Sequence, residues 1–539
     1  MSSFEIVLAL VVLATVVAAV AGRLSAPAPS LLVLAGLAVG SLPGVPAVRV
    51  SPDVVTLVVL PPLLYAAGHD LSIRELRSVW RPVTILAVGL VLATAVAVAG
   101  VAALLLDVPL QVGFVLGAVL ASTDPVAVTA LARTLRLPAR LETLVSAESL
   151  FNDATSLVLF KVAVGVVVAG GVPWTSAGVD LVRLGGGGAA VGFGVALAVA
   201  AVRRRTRDPV LETVITLVTP YATYALAEAA HVSGVTAVVV AAVTVGAVGP
   251  RLTSAVNRLQ LAAVTGTVVF LLESVVFALI GLQLPGLARG LDLPAARWLL
   301  PVAALTGAVV LMRLLWVFPL VAVLQARAGQ AVTWAAPAVA TWAGTRGVVP
   351  LAAALSIPLT VADGSPFPHR ELLLVLAIGV CVLTLVVQGL TLQTLTRRSG
   401  VAEPPELTER EHVLADLALA EAALARAREL ADPDRAPAAP LGGLIDALDD
   451  RRDRAESRLR ELDAERSTLP PPARDDRGVG DGVARAGDDF RSLRRVVLAA
   501  ERDELARLLA DAVISDATWR HLQQSLDLEE AALDSRTAP

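Results

Sequence analysis

Stretches of about twenty apolar residues recur along the first 395 positions of this chain, and that recurrence limits what it can fold into more than any other feature. A helix needs roughly twenty apolar residues to cross a bilayer. Runs of that kind fall near 4–22, 28–46, 53–68, 82–105, 110–131, 142–170, 179–202, 209–230, 232–250, 261–284, 298–324, 332–357 and 371–395, about thirteen in all. In hydrocarbon each backbone N–H and C=O must be satisfied within the segment, so such runs become helices. The expected fold is an all-α polytopic membrane protein. At 56 % hydrophobic residues and mean hydropathy +0.73, the chain is too apolar for an ordinary soluble domain. Met1-Ser2-Ser3-Phe4-Glu5 has no basic stretch and no cleavage site stands out after the first run, which is therefore read as a retained span. The single cysteine, Cys381, excludes an intrachain disulfide framework and a cysteine-based metal site.

Charge divides the chain. It is sparse to about Leu395 and dense from Arg397 onward, which predicts a transmembrane domain over 1–398 and a soluble tail over 399–539. Arg23, Arg74/Arg77/Arg81, Arg133/Arg136/Arg140, Arg203-Arg204-Arg205 with Arg207, Arg251/Arg258, Arg327 and Arg397-Arg398 fall in alternate loops, with Arg289 and Arg297 as the main exceptions. Positive-inside logic then puts the N-terminus outside, the tail in the cytoplasm, and an odd number of spans between them.

Two runs are interrupted. The fifth contains Thr123-Asp124-Pro125, and the twelfth contains Gly344-Thr345-Arg346-Gly347 followed by Pro350. A proline in a helix removes a donor and clashes with the preceding turn. Unwound backbone at membrane depth persists only where it is buried in protein or lines a cavity. Each break lies one span before the last of a six-span block, about 1–170 and about 209–395, with a linker helix at about 179–202. The odd spacing inverts the second block. The expectation is two inverted six-helix repeats whose broken helices cross at the midplane, where a transport site would lie.

Glu148-Ser149-Leu150-Phe151-Asn152-Asp153 heads the sixth run. Ionisable groups within a span are costly and mark ion or proton paths. Asp153 is the candidate carrier, because one carboxylate holds either a proton or a cation and the competition couples their fluxes. The bland reading is an Asp that hydrogen-bonds a neighbouring helix. Asn152 offers its amide oxygen to a cation or its NH₂ to a broken helix. It adds no second titratable charge, so an electroneutral exchange of one proton for one cation is the natural reading. Ser149, on the same helical face as Asp153, is an ion ligand or a packing serine. Asp124, beside Thr123, either ligates the ion with freed carbonyls or caps the positive end of the opposing half-helix. Arg346 needs a partner in an apolar run, and Glu148 is the best-placed acid unless Arg346 snorkels to the cytoplasmic face. Glu273 and Arg313 lie mid-run in the tenth and eleventh spans and either pair with each other or hold helix ends. Lys161 either tunes Asp153 or reaches the outer interface, while Glu212, Glu228 and His231 read as solvated.

In order along the chain, Leu60-Pro61-Pro62-Leu63-Leu64-Tyr65, Thr123-Asp124-Pro125-Val126-Ala127, Glu148–Asp153, Glu273 with Phe277 and Gly281-Leu282-Gln283-Leu284, and Trp342–Gly347 resemble the monovalent cation:proton antiporter superfamily, specifically its sodium/proton exchanger branch. The resemblance covers most of 1–395. It implies a homodimer in a bacterial cytoplasmic membrane, with scaffold and moving core domains and elevator-like alternating access. It implies exchange of Na⁺ (with Li⁺ or K⁺ as alternatives) for H⁺, without a cofactor. It also implies that Asp153 carries ion and proton, that Asn152, Asp124, Thr123 and Ser149 surround the ion, and that Glu148 pairs with Arg346. One departure stands out. Some microbial members have a glutamate after the aromatic residue of the third span, and here that position is Ala66.

Rival readings fare worse. A sodium-coupled solute symporter on the same plan needs a larger cavity, and a channel fits poorly with broken helices meeting at one acid. An intramembrane aspartyl protease would have to use Asp124 with Asp153, leaving Asn152, Glu148 and Arg346 unexplained. A transporter, not an enzyme, is expected, with no nucleic-acid partner. In the tail, helical periodicity covers about 408–431, 444–467 and 489–532, with a break at Asp432-Pro433-Asp434 and a flexible linker at about 468–487. No nucleotide loop or metal cluster is apparent there. Packing against a twin tail or the membrane domain is the default reading, with a part in pH response as the functional one.

Overall fold

The computed structural model of the chain describes residues 3–24, 27–43, 55–124, 139–170, 174–206, 208–249, 253–291, 294, 296–327, 333–401, 405–431, 439–465, 488–511 and 513–535. Among these, the regular elements are all helical. The chain divides into two compact units, Met1–Thr253 with Leu261–Ala402, and Ser254–Gln260 with Glu403–Pro539.

The helices of the first stretch are α1 (Ser3–Leu24), α2 (Ala28–Ser41), α3 (Val55–His69), α4 (Ile73–Leu106), α5 (Leu110–Ala121), α6 (Ala139–Val168), α7 (Trp174–Arg203), α8 (Pro209–Ala229), α9 (Gly234–Val248), α10 (Ala255–Gly290), α11 (Ala296–Arg327), α12 (Ala335–Trp342), α13 (Val348–Leu355) and α14 (Arg370–Ser399). Among the described residues, seven helices (α4, α6, α7, α8, α10, α11 and α14) hold stretches long and apolar enough to cross a membrane, and five shorter apolar helices accompany them. Large apolar side chains such as Leu104, 86 % exposed, and Val182 face outward, as lipid-covered surfaces require. Helices close on one another through small residues: a Cβ on Gly281 would collide with the α2 backbone at Val33 and Leu37, and one on Gly117 with that of Ala95.

Three sequence boundaries move. The fourth run was expected from 82, but α4 starts at Ile73, because Ser72 accepts the Glu75 N–H at 3.4 Å and caps an amphipathic first turn. Pro82 then lies inside the helix, and just after it the ladder widens to a π-type stretch over Ile85–Leu90. The fifth run, expected to 131, leaves the helix after Ala121. Pro125, Arg133 and Arg136 lie outside the described residues. The twelfth splits into α12 and α13, with Ala343–Gly347 non-helical between them.

The tail contains α15 (Pro405–Glu429), α16 (Ala439–Glu465), α17 (Asp488–Ala510) and α18 (Asp516–Ser535). Its core joins Leu419, Leu498, Leu505 and Leu526, with Leu424, Leu444, Leu448 and Val497 forming an adjoining cluster. The segment expected as one stretch over 489–532 is two helices, because Ser515 accepts the Thr518 N–H at 3.3 Å and starts a new one. The break at 432–434 and the linker at 468–487 lie outside the described residues.

Candidate functional site

The two interrupted spans meet. Past the end of α5 the chain runs extended through Ser122 and Thr123 to Asp124, which pairs antiparallel with Thr345 between α12 and α13. The Asp124 N–H donates to the Thr345 carbonyl at 2.8 Å, and the Thr345 hydroxyl donates back to the Asp124 carbonyl at 3.0 Å. Unwound segments at membrane depth thus satisfy part of each other's backbone, which makes their interruption tolerable.

The charges at this crossing compensate helix ends. The Val348 N–H, at the start of α13, donates to Asp124 Oδ2 at 3.4 Å, and a side chain at Gly347 would overlap that carboxylate. A carboxylate there answers the positive end of a half-helix. Arg346 does the converse. Its Nε donates to the Leu120 carbonyl in the last turn of α5 at 3.0 Å, and a guanidinium nitrogen donates to the Gly344 carbonyl. Those carbonyls are acceptors that ended or broken helices leave over. At 2 % exposure, Arg346 does not snorkel.

The expected Glu148–Arg346 pair does not form. Glu148 is held by Arg313 of α11, whose two terminal nitrogens donate to the two carboxylate oxygens at 2.9 and 2.8 Å. Both side chains are buried, and such a fork-on-carboxylate pair is the strong geometry for arginine. Arg313 Nε also reaches the Ala340 carbonyl at 3.2 Å. Ala340 lies in the last turn of α12, so Arg313 holds a helix end, as one of its two expected roles had it, and does not pair with Glu273. The sequence signal for it, an Arg in mid-run, is weaker than that for Arg346, which stands in the twelfth-span break. Only the folded chain shows which of the two meets Glu148.

Around this pair the remaining candidates converge. Asn152 Nδ2 donates to Glu148 at 3.1 Å and to the Thr123 hydroxyl at 3.3 Å. Its Oδ1 is buried and accepts no hydrogen bond among the described residues. Ser149 donates to the Thr123 carbonyl at 2.5 Å. The Ser122 hydroxyl, which the sequence did not single out, donates to Asp153. Asp153 is 6 % exposed and Asp124 8 %, and both line a cavity of about 80 Å³. Thr123, Ser149 and Glu273 line it too, with Leu63, Leu64 and Ala67 of α3 as its apolar wall. The volume suits an ion with two or three waters and falls below the roughly 300 Å³ at which sites for organic ligands begin.

The outlying charges sort separately. Lys161 forms an ion pair with Glu228 at 2.5 Å with both side chains partly exposed, so Glu228 is only partly solvated. Glu212, read as solvated, is 3 % exposed.

The family model for the sodium/hydrogen exchanger, transmembrane, matches residues 8–398. An uncharacterised Na⁺/H⁺ exchanger of Mycobacterium tuberculosis is 35 % identical over 98 % of this chain and 96 % of its own. The sodium, potassium, lithium and rubidium/H⁺ antiporter of Bacillus pumilus is 31 % identical over 69 % of this chain and 58 % of its own, and the low-affinity Na⁺/H⁺ antiporter of Synechocystis is 32 % identical over 73 % and 74 %. The structure of a sodium proton antiporter from Methanocaldococcus jannaschii superposes with TM-score 0.61 at 21 % identity, covering 74 % of this chain and 99 % of that one, and shares its fold.

Proposed function

The chain belongs to the sodium/hydrogen exchanger family, and we propose that it exchanges one monovalent cation for one H⁺ without net charge movement, Na⁺ first and Li⁺ or K⁺ after it. It is a multi-pass membrane transporter and not an enzyme. The observation that carries the exchange reading is the small cavity at the crossing, with Asp153 on its wall and Ser122 as that carboxylate's hydrogen-bond donor. In this reading a cation displaces the proton of Asp153 and takes further oxygens from Asp124, Ser149, Thr123 and Asn152. Hard monovalent ions are held by such oxygen sets, and among the described residues Asn152 Oδ1 is an acceptor without a donor. Glu148 and Arg313 cancel each other's charge and Asp124 answers the start of α13, so in this reading Asp153 alone exchanges its proton for the cation and the cycle is electroneutral. An electrogenic cycle would respond by about 2.3 kcal/mol per net charge per 100 mV.

Alternating access follows an elevator scheme in this reading, run by a homodimer with the N-termini outside and the tails in the cytoplasm. The two broken spans, laid out as crossing elements of inverted repeats, move as one piece, because the Asp124–Thr345 pairing ties them together. The exchange uses no cofactor: each pH unit across the membrane supplies about 1.4 kcal/mol per proton. A solute symporter on the same plan finds too little space at this site.

The test is cation-driven proton flux in proteoliposomes, with Na⁺, Li⁺ and K⁺ in turn and the voltage clamped by valinomycin. Flux indifferent to the clamp, with an apparent KM for the cation that rises as pH falls while the maximal rate holds, is the expected outcome. Flux that follows the voltage would sink the one-for-one stoichiometry, and absence of flux would sink the exchange.

A further inference from the structure

We propose that Glu273 is a cation-attracting residue of this transport route, acting from α10 across the cavity to raise cation occupancy at Asp153; the inference rests on the exchange proposed above. Glu273 lines the same cavity as Asp124 and Asp153, where α3 contributes only Leu63, Leu64 and Ala67. A carboxylate within a span is costly unless it pairs or faces water or an ion. Arg313 is engaged by Glu148, and Arg346 by the carbonyls of Leu120 and Gly344. Among the described residues Glu273 has no ion pair and no hydrogen bond, and its side chain is only partly buried. Glu273 faces the cavity, on whose wall Asp124 and Asp153 also lie. Three carboxylates around about 80 Å³ repel one another, and a cation between them relieves all three. A cleft with low-dielectric walls and one sign of charge concentrates its counter-ion.

The test measures apparent KM for Na⁺ in proteoliposomes, and Na⁺ affinity by calorimetry, on full-length wild type, Glu273→Gln and Glu273→Asp. We expect Glu273→Gln to weaken both by about tenfold, the scale for one charge removed at short range in a protein interior. The maximal rate should change much less, and Glu273→Asp should recover most of the loss. Unchanged KM and affinity in Glu273→Gln overturn the inference, as does a fall in maximal rate alone. Should Glu273→Gln fold poorly, Ala67→Glu in that background returns a carboxylate to the cavity from α3. Recovered Na⁺ affinity supports the electrostatic role, and a protein that stays misfolded or weak assigns Glu273 to structure. Wild type without cation-driven flux removes the exchange reading, and calorimetry then judges Glu273 by itself. Flux that ignores Glu273 removes only this inference.

Discussion

In the tail, Glu501 is fully buried and meets two arginines, Arg451 at 2.8 Å and Arg494 at 3.4 Å; in the membrane unit, Asp153 is nearly as buried and meets the hydroxyl of a serine. The tail repeats its solution. Arg502 holds the buried Asp527 at 2.9 Å, while Arg494 and Arg451 also reach the half-exposed Glu529 and Asp416 at 2.5 and 2.9 Å. A buried acid matched to a guanidinium is neutralised, and its removal strands the partner. An acid answered only by a hydroxyl keeps its charge available to whatever enters the cavity beside it. Glu148 shows that the membrane unit can also build the matched kind, since Arg313 takes both its oxygens. The contrast therefore divides structural from working acids within one unit as well as between two.

The sharpest way to break that division is Asp153→Asn. Exchange should fall to the level of empty liposomes, while the purified variant melts within a few degrees of wild type, because no ion pair is lost. Flux surviving in Asp153→Asn would move the carrier elsewhere. The opposite pattern is expected of Arg313→Ala. It leaves Glu148 buried and uncompensated, at about 3–5 kcal/mol, and should appear as a large drop in melting temperature. Glu148→Gln/Arg313→Gln removes both charges and should recover much of that loss. An Arg313→Ala protein as stable as wild type would show that the pair does not hold the fold.

How much of this could be read in the sequence follows the same line. Apolar length and periodicity mark the spans because each helix meets the bilayer separately, so α7, α8 and α14 lie close to their apolar runs. The start of α4 at Ile73 escaped that reading, since its first turns carry Arg74, Glu75 and Arg77 and look like a loop. At the site, the sequence named Thr123, Asp124, Ser149, Asn152 and Asp153, and the fold gathers them where two unwound segments cross. It named Arg346 as the partner of Glu148, and the fold supplies Arg313 instead. Arg313 and Arg346 are equally costly in a span, and distances between helices decide between them. Ser122 was invisible for a related reason: a serine carries no signal until its neighbour across the fold is known.

A pH series sharpens the tail's side of the comparison. Burial pushes the Glu501 carboxyl above its ordinary value, even though Arg494 and Arg451 pull it down. The folded tail thus binds that proton more tightly than the unfolded chain does. Its contribution is full below the unfolded value and is lost as pH rises through the folded one. The urea midpoint of the tail, read by pulse proteolysis of the full chain, should decline over that rise, and Glu501→Gln should flatten the decline. A midpoint that climbs with pH in wild type and not in Glu501→Gln would mean that the two arginines outweigh burial.

The smallest effect is expected where a matched pair meets solvent. Lys161 and Glu228 sit 2.5 Å apart, but each is about a third exposed, with side-chain values of 34 % and 39 %. Water screens such a pair and side-chain entropy opposes it, so exposed ion pairs contribute roughly 0–1 kcal/mol. Glu228 also accepts the Gly234 N–H at 3.2 Å, at the start of α9, and keeps that role without the lysine. Lys161→Met should therefore shift the melting temperature by no more than a degree or two and leave cation affinity as it was. A change in affinity would tie Lys161 to Asp153, two turns back along α6, and would extend the working set beyond the cavity. The same charge separation that is decisive between Glu148 and Arg313 is then nearly silent here, because what sets its weight is the water each pair has lost.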